Sequence, residues 1–330
     1  MDYMKRIILS TLALLFCLSG VMAEGAVCKK TYTYTHRGEQ ALYLDIYSTS
    51  DSVQPCLLYI FGGAFLTGQR AEPEVVQVYE YFAQNGWKVV SIDYRLGLLP
   101  LIEEPDVKRS LLDFRKMLID AIDIAVEDLL EATAYLVTNA EMLGIDPSKI
   151  VTLGASAGAI TACQAEWAIC NSSPAAAVLP EDFNFAGVIS MAGAICASGR
   201  DLEWKMEPCP MMLFHGNADK NVPYGTQSLL NVRLFGSESI ASSLEELGSP
   251  YWFYDADNMD HNFSWRPMYY HREEIWTFMN RMVLGGERLL VHQRVSDKKL
   301  PKVKHNFGLK DYIKNNFDPD RPHGVEAATY

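Results

Sequence analysis

The chain has 330 residues, 49% of them hydrophobic and 21% charged, with a formal net charge of −12. That length and apolar fraction supply a sizeable core, enough for one large α/β domain or two smaller ones. The acidic excess argues against a nucleic-acid partner, because phosphate backbones are bound by basic surfaces.

The first 23 residues have the composition of a targeting segment. Lys5 and Arg6 precede an apolar stretch from Ile7 to Leu18, and Val21-Met22-Ala23 offers a small-residue cleavage site. The stretch is too short to span a bilayer comfortably, so it predicts a cleavable signal peptide over residues 1–23. An exported, periplasmic or secreted chain with no stable membrane insertion follows. Leu14-Leu15-Phe16-Cys17 approaches a lipoprotein box, but bulky Phe16 stands where a small residue is needed, which disfavours a lipid anchor at Cys17. Six cysteines remain after residue 23, and export permits disulfides. Cys196 and Cys209 bracket a predicted loop and are the expected pair.

Two strands are predicted first, Lys30 to Thr35 and Ala41 to Tyr47, the second with an alternating Leu42, Leu44, Ile46 face. Cys56 to Phe61 is a fully apolar strand that runs into Gly62-Gly63-Ala64-Phe65. A helix over about Glu74 to Gln84 and a strand from Trp87 to Tyr94 follow. Residues 95–117 carry little signal and read as a loop with a short helix. Asp93 and Arg95, at the start of that region, read as a structural ion pair. A long amphipathic helix is predicted over about Leu118 to Leu143, with Gly144 as its cap.

Ile150, Val151 and Leu153 form a short apolar run of the kind a buried parallel strand needs, and it stops at Gly154. The next residues, Ala155 to Trp167, are mostly good helix formers. Between strand and helix sits Gly154-Ala155-Ser156-Ala157-Gly158, a G-x-S-x-G pattern. A serine on such a sharp turn stands clear of the sheet at a helix N-terminus, where free N–H groups stabilise a negative oxygen. Further strands are predicted at Gly187 to Met191, Pro210 to His215 and Tyr251 to Tyr254, and a final helix at about Met268 to Val283. Alternating strands and helices predict βαβ units and a mostly parallel sheet of about eight strands with helices on both faces. The domain is expected to span residues 24–289, with 290–330 as a basic tail.

In such sheets ligands bind at the carboxyl edge of the strands. Ser156, Asp219 and His261 each follow a predicted strand there, in that chain order. A serine nucleophile needs a base for its proton and a carboxylate to hold that base in one tautomer. Asp260 is a poor competitor for Asp219, since adjacency to His261 makes the side-chain geometry awkward.

This order resembles the α/β-hydrolase fold, and within it the exported carboxylesterase and lipase branch with an HGG-type motif. The resemblance covers about residues 40–285. It rests on Phe61-Gly62-Gly63-Ala64-Phe65, Asp93-Tyr94-Arg95-Leu96, the Ser156 motif, and His215-Gly216-Asn217-Ala218-Asp219 with Val222-Pro223. It implies an oxyanion hole built from the N–H of Ala157 and those of Gly63 or Ala64. Phe61 replaces the family's usual histidine and Ala64 a common third glycine, changes that leave backbone donors in place. It further implies a Ser156–His261–Asp219 acyl-enzyme mechanism; with no metal-ligand spacing and no phosphate-cradling glycine loop in the sequence, no cofactor and no metal are expected.

The expected substrates are short acyl esters, small or carbohydrate-linked through acetyl or feruloyl groups. No long amphipathic lid of the interfacial-lipase kind is visible. A prolyl-oligopeptidase-type peptidase shares fold and triad but usually carries a large accessory domain, for which residues 24–285 leave no room. A non-catalytic binding protein on the same fold is the third reading.

Overall fold

In the computed structural model, residues 25–104 and 106–300 are described, with positions 302, 308, 310 and 313. The predicted signal peptide, Cys17 and most of the predicted tail lie outside the described residues. Strands β1 (Cys28–Arg37) and β2 (Gln40–Ser48) form an antiparallel hairpin at one edge of the main sheet. Then follow β3 (Gln54–Ile60), α1 (Pro73–Gln84), β4 (Lys88–Ile92), a short α2 (Pro100–Glu103) and the long α3 (Leu111–Thr138). A single turn, α4 (Ala140–Leu143), leads through left-handed Gly144 into β5 (Ile145–Ala155), and α5 (Ala157–Cys170) leaves it. Strands β6 (Gly187–Met191), β7 (Ala194–Ala197), β8 (Met211–Gly216), β9 (Thr226–Leu229) and β10 (Val232–Gly236) come next. Helix α6 (Ser237–Leu247), β11 (Tyr251–Asp257), α7 (Pro267–Tyr270), α8 (Arg272–Thr277) and β12 (Leu290–Ser296) complete the order.

The main sheet has nine strands, ordered β1-β2-β4-β3-β5-β6-β8-β11-β12. From β4 to β12 every pairing is parallel. The apolar runs explain the order. Strands β4, β6 and β8 are buried at every position, and only continuous apolar sequences fill the middle of a sheet covered on both faces. Helices α3 and α5 cover one face. The other carries α1 and α8, where Trp276 packs on Phe82 with ring centres 5.3 Å apart.

Several elements depart from the sequence expectations. Helix α3 starts at Leu111, seven residues before the predicted Leu118, because Ser110 and Asp113 form a reciprocal capping box. The predicted helix from Met268 to Val283 is broken into α7, α8 and a π-helical stretch, Phe278–Leu284. A second sheet, β7-β10-β9, was not expected at all. Residues 290–296 extend the main sheet as β12 beyond the predicted boundary at 289, paired along β11 from Tyr251↔Leu290 to Asp257↔Ser296.

The expected Cys196–Cys209 disulfide is absent, and all six cysteines among the described residues are free. The backbone of Cys196 is held at both ends by the side chain of Gln164, whereas the Cys209 N–H donates to Glu166 Oε1 at 2.7 Å. Residues two apart on a helix face different ways, so α5 holds these two cysteines on different sides of itself.

The expected Asp93–Arg95 pair is also not made. Asp93 pairs with Arg70, and Arg95 forks onto the buried Asp128 of α3 through two 2.8 Å contacts. Both residues lie beyond the end of β4 at Ile92, outside its regular alternation, and each finds a partner elsewhere in the chain. Among the described residues no helix is long and apolar enough to cross a membrane.

Candidate active site

Ser156 stands between β5 and α5 with φ 51° and ψ −117°, a conformation non-glycine residues avoid. Its N–H donates to Met191 O at the end of β6 (2.9 Å), and its carbonyl accepts from Ile160 (2.9 Å). The two glycines of the motif permit this tight packing. A Cβ on Gly154 would lie 2.3 Å from Gly158 O, and one on Gly158 would lie 2.1 Å from Ile60 O. Neither position admits a side chain, so the helix start presses directly on the strand ends.

Asp219 and His261 come from neighbouring loops that are stitched together. After β8, Asn217 N donates to Ala256 O (3.1 Å) and Ala218 N to Met259 O (3.0 Å). The Asn217 side chain accepts from Asn258 N and donates to Asp257, both at 2.8 Å. This fastening fixes the Asp219 loop against the loop after β11. There Asp260 caps a 3-10 turn by accepting from Asn262 N, and His261 is the first residue of that turn.

The resulting geometry is continuous. Ser156 Oγ lies 2.8 Å from His261 Nε2, and His261 Nδ1 lies 2.7 Å from Asp219 Oδ2. Asp219 Oδ1 accepts from the N–H groups of Asn221 (2.7 Å) and Val222 (2.9 Å). Burial works to raise the Asp219 carboxyl, but the His261 imidazole and the donors around it prevail, holding it well below the usual carboxylate range. Ionised, Asp219 is an acceptor only, so His261 carries its proton on Nδ1 and leaves Nε2 free to accept from Ser156.

The glycine loop after β3 faces Ser156. An added Cβ on Gly62 would sit 3.3 Å from Ser156 Cβ. Ala64 and Phe65 hold φ of 55° and 59°, and Gly63 O accepts from Leu66 N (2.9 Å) and Thr67 N (3.1 Å), which closes a tight turn. Ala64 and Ala157 line one cavity together with Ser156. Phe61 is stacked on Tyr94 at 4.3 Å, and Tyr94 Oη donates to Phe61 O, so this aromatic pair braces the loop from below where the family's histidine is usual.

A family model described as the carboxylesterase family matches residues 17–198, just over half of the chain. The chain belongs to the carboxylesterase family. The matched part of this family member contains the glycine loop and Ser156, and it ends before Asp219 and His261, whose placement rests on the geometry above. Carboxylesterase 4A of Bos taurus is 27% identical over 135 residues, 40% of this chain and 22% of that protein. Fumonisin B1 esterase of Sphingopyxis macrogoltabida is 29% identical over 126 residues, 37% of this chain and 22% of that protein. The match thus spans about a quarter or less of these relatives' length. Among solved structures, propionate-bound esterase 2 of Thermogutta terrifontis is similar with a TM-score of 0.53 and 20% identity, covering 78% of this chain and 94% of that chain. The likeness extends to the whole α/β-hydrolase fold.

Two features of this carboxylesterase-family site were not visible in the sequence. The cavity beside Ser156 is walled by Leu118 and Ile122 of α3, Ile160 of α5, Val222 and Pro223, and by Leu234 of β10 in the small sheet. It leaves about 20 Å³, room for a water or a methyl-sized group. Second, the fully buried His215 places Nε2 3.3 Å from Asp219 Oδ2. Its position four residues before Asp219 at a strand end was the available signal.

Proposed function

We propose that this chain is a serine carboxylic ester hydrolase with Ser156 as nucleophile, His261 as base and Asp219 as the carboxylate that orients it. The uninterrupted contact from Ser156 Oγ through His261 to Asp219, 2.8 and 2.7 Å, carries the reading. The Ser156 proton passes to His261 Nε2 as Oγ attacks the ester carbonyl carbon. The negative oxygen is received by N–H groups of Ala157 and of Gly63 or Ala64. His261 then protonates the departing alcohol, and a water activated by the same imidazole releases the acid from Ser156.

The small apolar cavity beside Ser156 favours short acyl groups, acetyl first. The Thermogutta terrifontis esterase that shares the fold was solved with propionate and with butyrate bound, which agrees with this reading. Between the acetyl and feruloyl groups a saccharide could carry, the small apolar cavity beside Ser156 favours acetyl. Residues 1–23 have the composition of a signal peptide, and export would place the enzyme with such substrates.

Initial rates on p-nitrophenyl esters of rising chain length, with acetylated xylan and prolyl anilides alongside, test the proposal. Highest kcat/KM on acetate to butyrate is expected. Best turnover on long-chain esters would favour a lipase, and on anilides a peptidase.

A further inference from the structure

The Asp219 carboxylate faces two imidazoles. His261 approaches Oδ2 from the open side of the site, and His215 approaches the same oxygen from beneath, at 3.3 Å, with its ring fully buried. His215 Nδ1 is in turn 2.8 Å from Ser237 Oγ, on the first residue of α6. A carboxylate can only accept, so His215 directs Nε2–H at it, in an electrostatic contact that falls outside hydrogen-bond geometry, while the Ser237 hydroxyl also reaches Gly193 O. The other titratable groups near the ring are Tyr224, edge-on with centres 5.7 Å apart, and Asp255, its register partner on β11.

We propose that His215 is a positioning residue, a buried imidazole that faces the Asp219 carboxylate together with His261 and fixes its orientation. The inference rests on the Ser156–His261–Asp219 reading. Its chemistry is specific. An N–H dipole facing Oδ2 offsets part of the carboxylate charge, so His261 is held in place without its protonated form being stabilised beyond what catalysis can use. It also gives α6 a structural line to the site, from Ser237 through His215 to Asp219.

Replacing His215 by Leu removes the N–H and keeps an apolar body of similar size. The His215→Leu enzyme should lose roughly tenfold in kcat with KM little changed, as expected when an oriented polar group facing a buried charge is lost. Its acid limb in the pH profile of kcat/KM should move up by about 0.5 unit, because the undivided Asp219 charge then favours protonated His261. His215→Gln, whose amide N–H reaches the same position, should restore the limb and most of kcat. Should the Leu variant fail to fold, Ser237→Ala removes the partner of Nδ1 and should shift the limb in the same direction by less. A folded Leu variant, or Ser237→Ala in its place, with the parental limb and kcat overturns the inference. Ser156→Ala, assayed in parallel, separates the two ideas. If it is inactive while the His215 variants are parental, only the inference falls. Substantial activity in Ser156→Ala removes the triad reading and the inference together.

Discussion

Asp260 precedes His261 in the chain, yet its carboxylate turns back onto Asn262, whereas His261 Nδ1 meets Asp219 at 2.7 Å from a loop 42 residues earlier. Sequence proximity and chemical partnership are therefore separated at this histidine.

Asp219→Asn replaces an acceptor with an amide that can hold His261 in the wrong tautomer. It should cost about three to four orders of magnitude in kcat. Asp260→Asn retains a capping side chain and should cost less than about tenfold. Steady-state kinetics on p-nitrophenyl acetate rank the two, and the reverse order would remove Asp219 as the orienting acid.

Ser156→Ala and Ser156→Gly both delete the nucleophilic oxygen and should both be inactive. Only Gly is at ease at φ 51° and ψ −117°. Strain at such positions costs about 1–3 kcal/mol, against about 0.5–1 kcal/mol for the extra freedom of glycine in the unfolded chain. Ser156→Gly should therefore melt a few degrees above Ser156→Ala, a difference calorimetry resolves. Equal melting temperatures would mean that the turn stores no strain.

Leu234→Ala should open the cavity beside Ser156 and shift preference from acetate towards hexanoate, with butyrate relative to acetate rising about tenfold. The cost is the usual one for a large-to-small change at a packed site, about 2–5 kcal/mol. Rates across the ester series on the folded variant decide. An unchanged profile would show that the small sheet does not limit acyl length.

Glu166 is fully buried on α5, its Oε1 accepting from Cys209 N–H at 2.7 Å and from Asn184 at 3.2 Å. Burial outweighs these donors and raises its carboxyl above the ordinary range. A carboxyl raised in the folded state binds its proton more tightly there than in the unfolded chain. Its contribution is complete below the unfolded value of ~4.3 and is lost as pH rises through the folded one. Glu166→Gln keeps the acceptor and cannot ionise. Its melting temperature should fall less than the parent's as pH rises from about 4 towards neutrality. Parallel pH–stability curves would show that Glu166 does not contribute to this loss.

The parallel sheet was legible because its strands are continuous apolar runs, and Ser156 because glycines at 154 and 158 are required by contacts closer than any side chain allows. The small sheet was not. Ala194–Ala197 and Thr226–Leu229 are four residues each, too short for a period to emerge, and their pairing through β10 is a long-range event. Leu234 could not be placed at the cavity for the same reason. The start of α3 was missed although Ser110 and Asp113 have capping-box spacing, because no strong apolar period surrounds Leu111 and Leu112. The partners of Asp93 and Arg95 lie on separate elements, Arg70 and Asp128, and no local pattern announces them.

Strand β12 lies along the outer side of β11, and β11 ends at the loop that presents His261. A version of the chain cut after residue 289 would leave the outer row of β11 amides and carbonyls bare, a template on which strands from other molecules can dock. Aggregation during expression, and drift of the base away from Ser156, would then arrive together. The seven residues from Leu290 to Ser296 thus act as a selvage, the woven border that keeps the fabric from unravelling where the chemistry is attached.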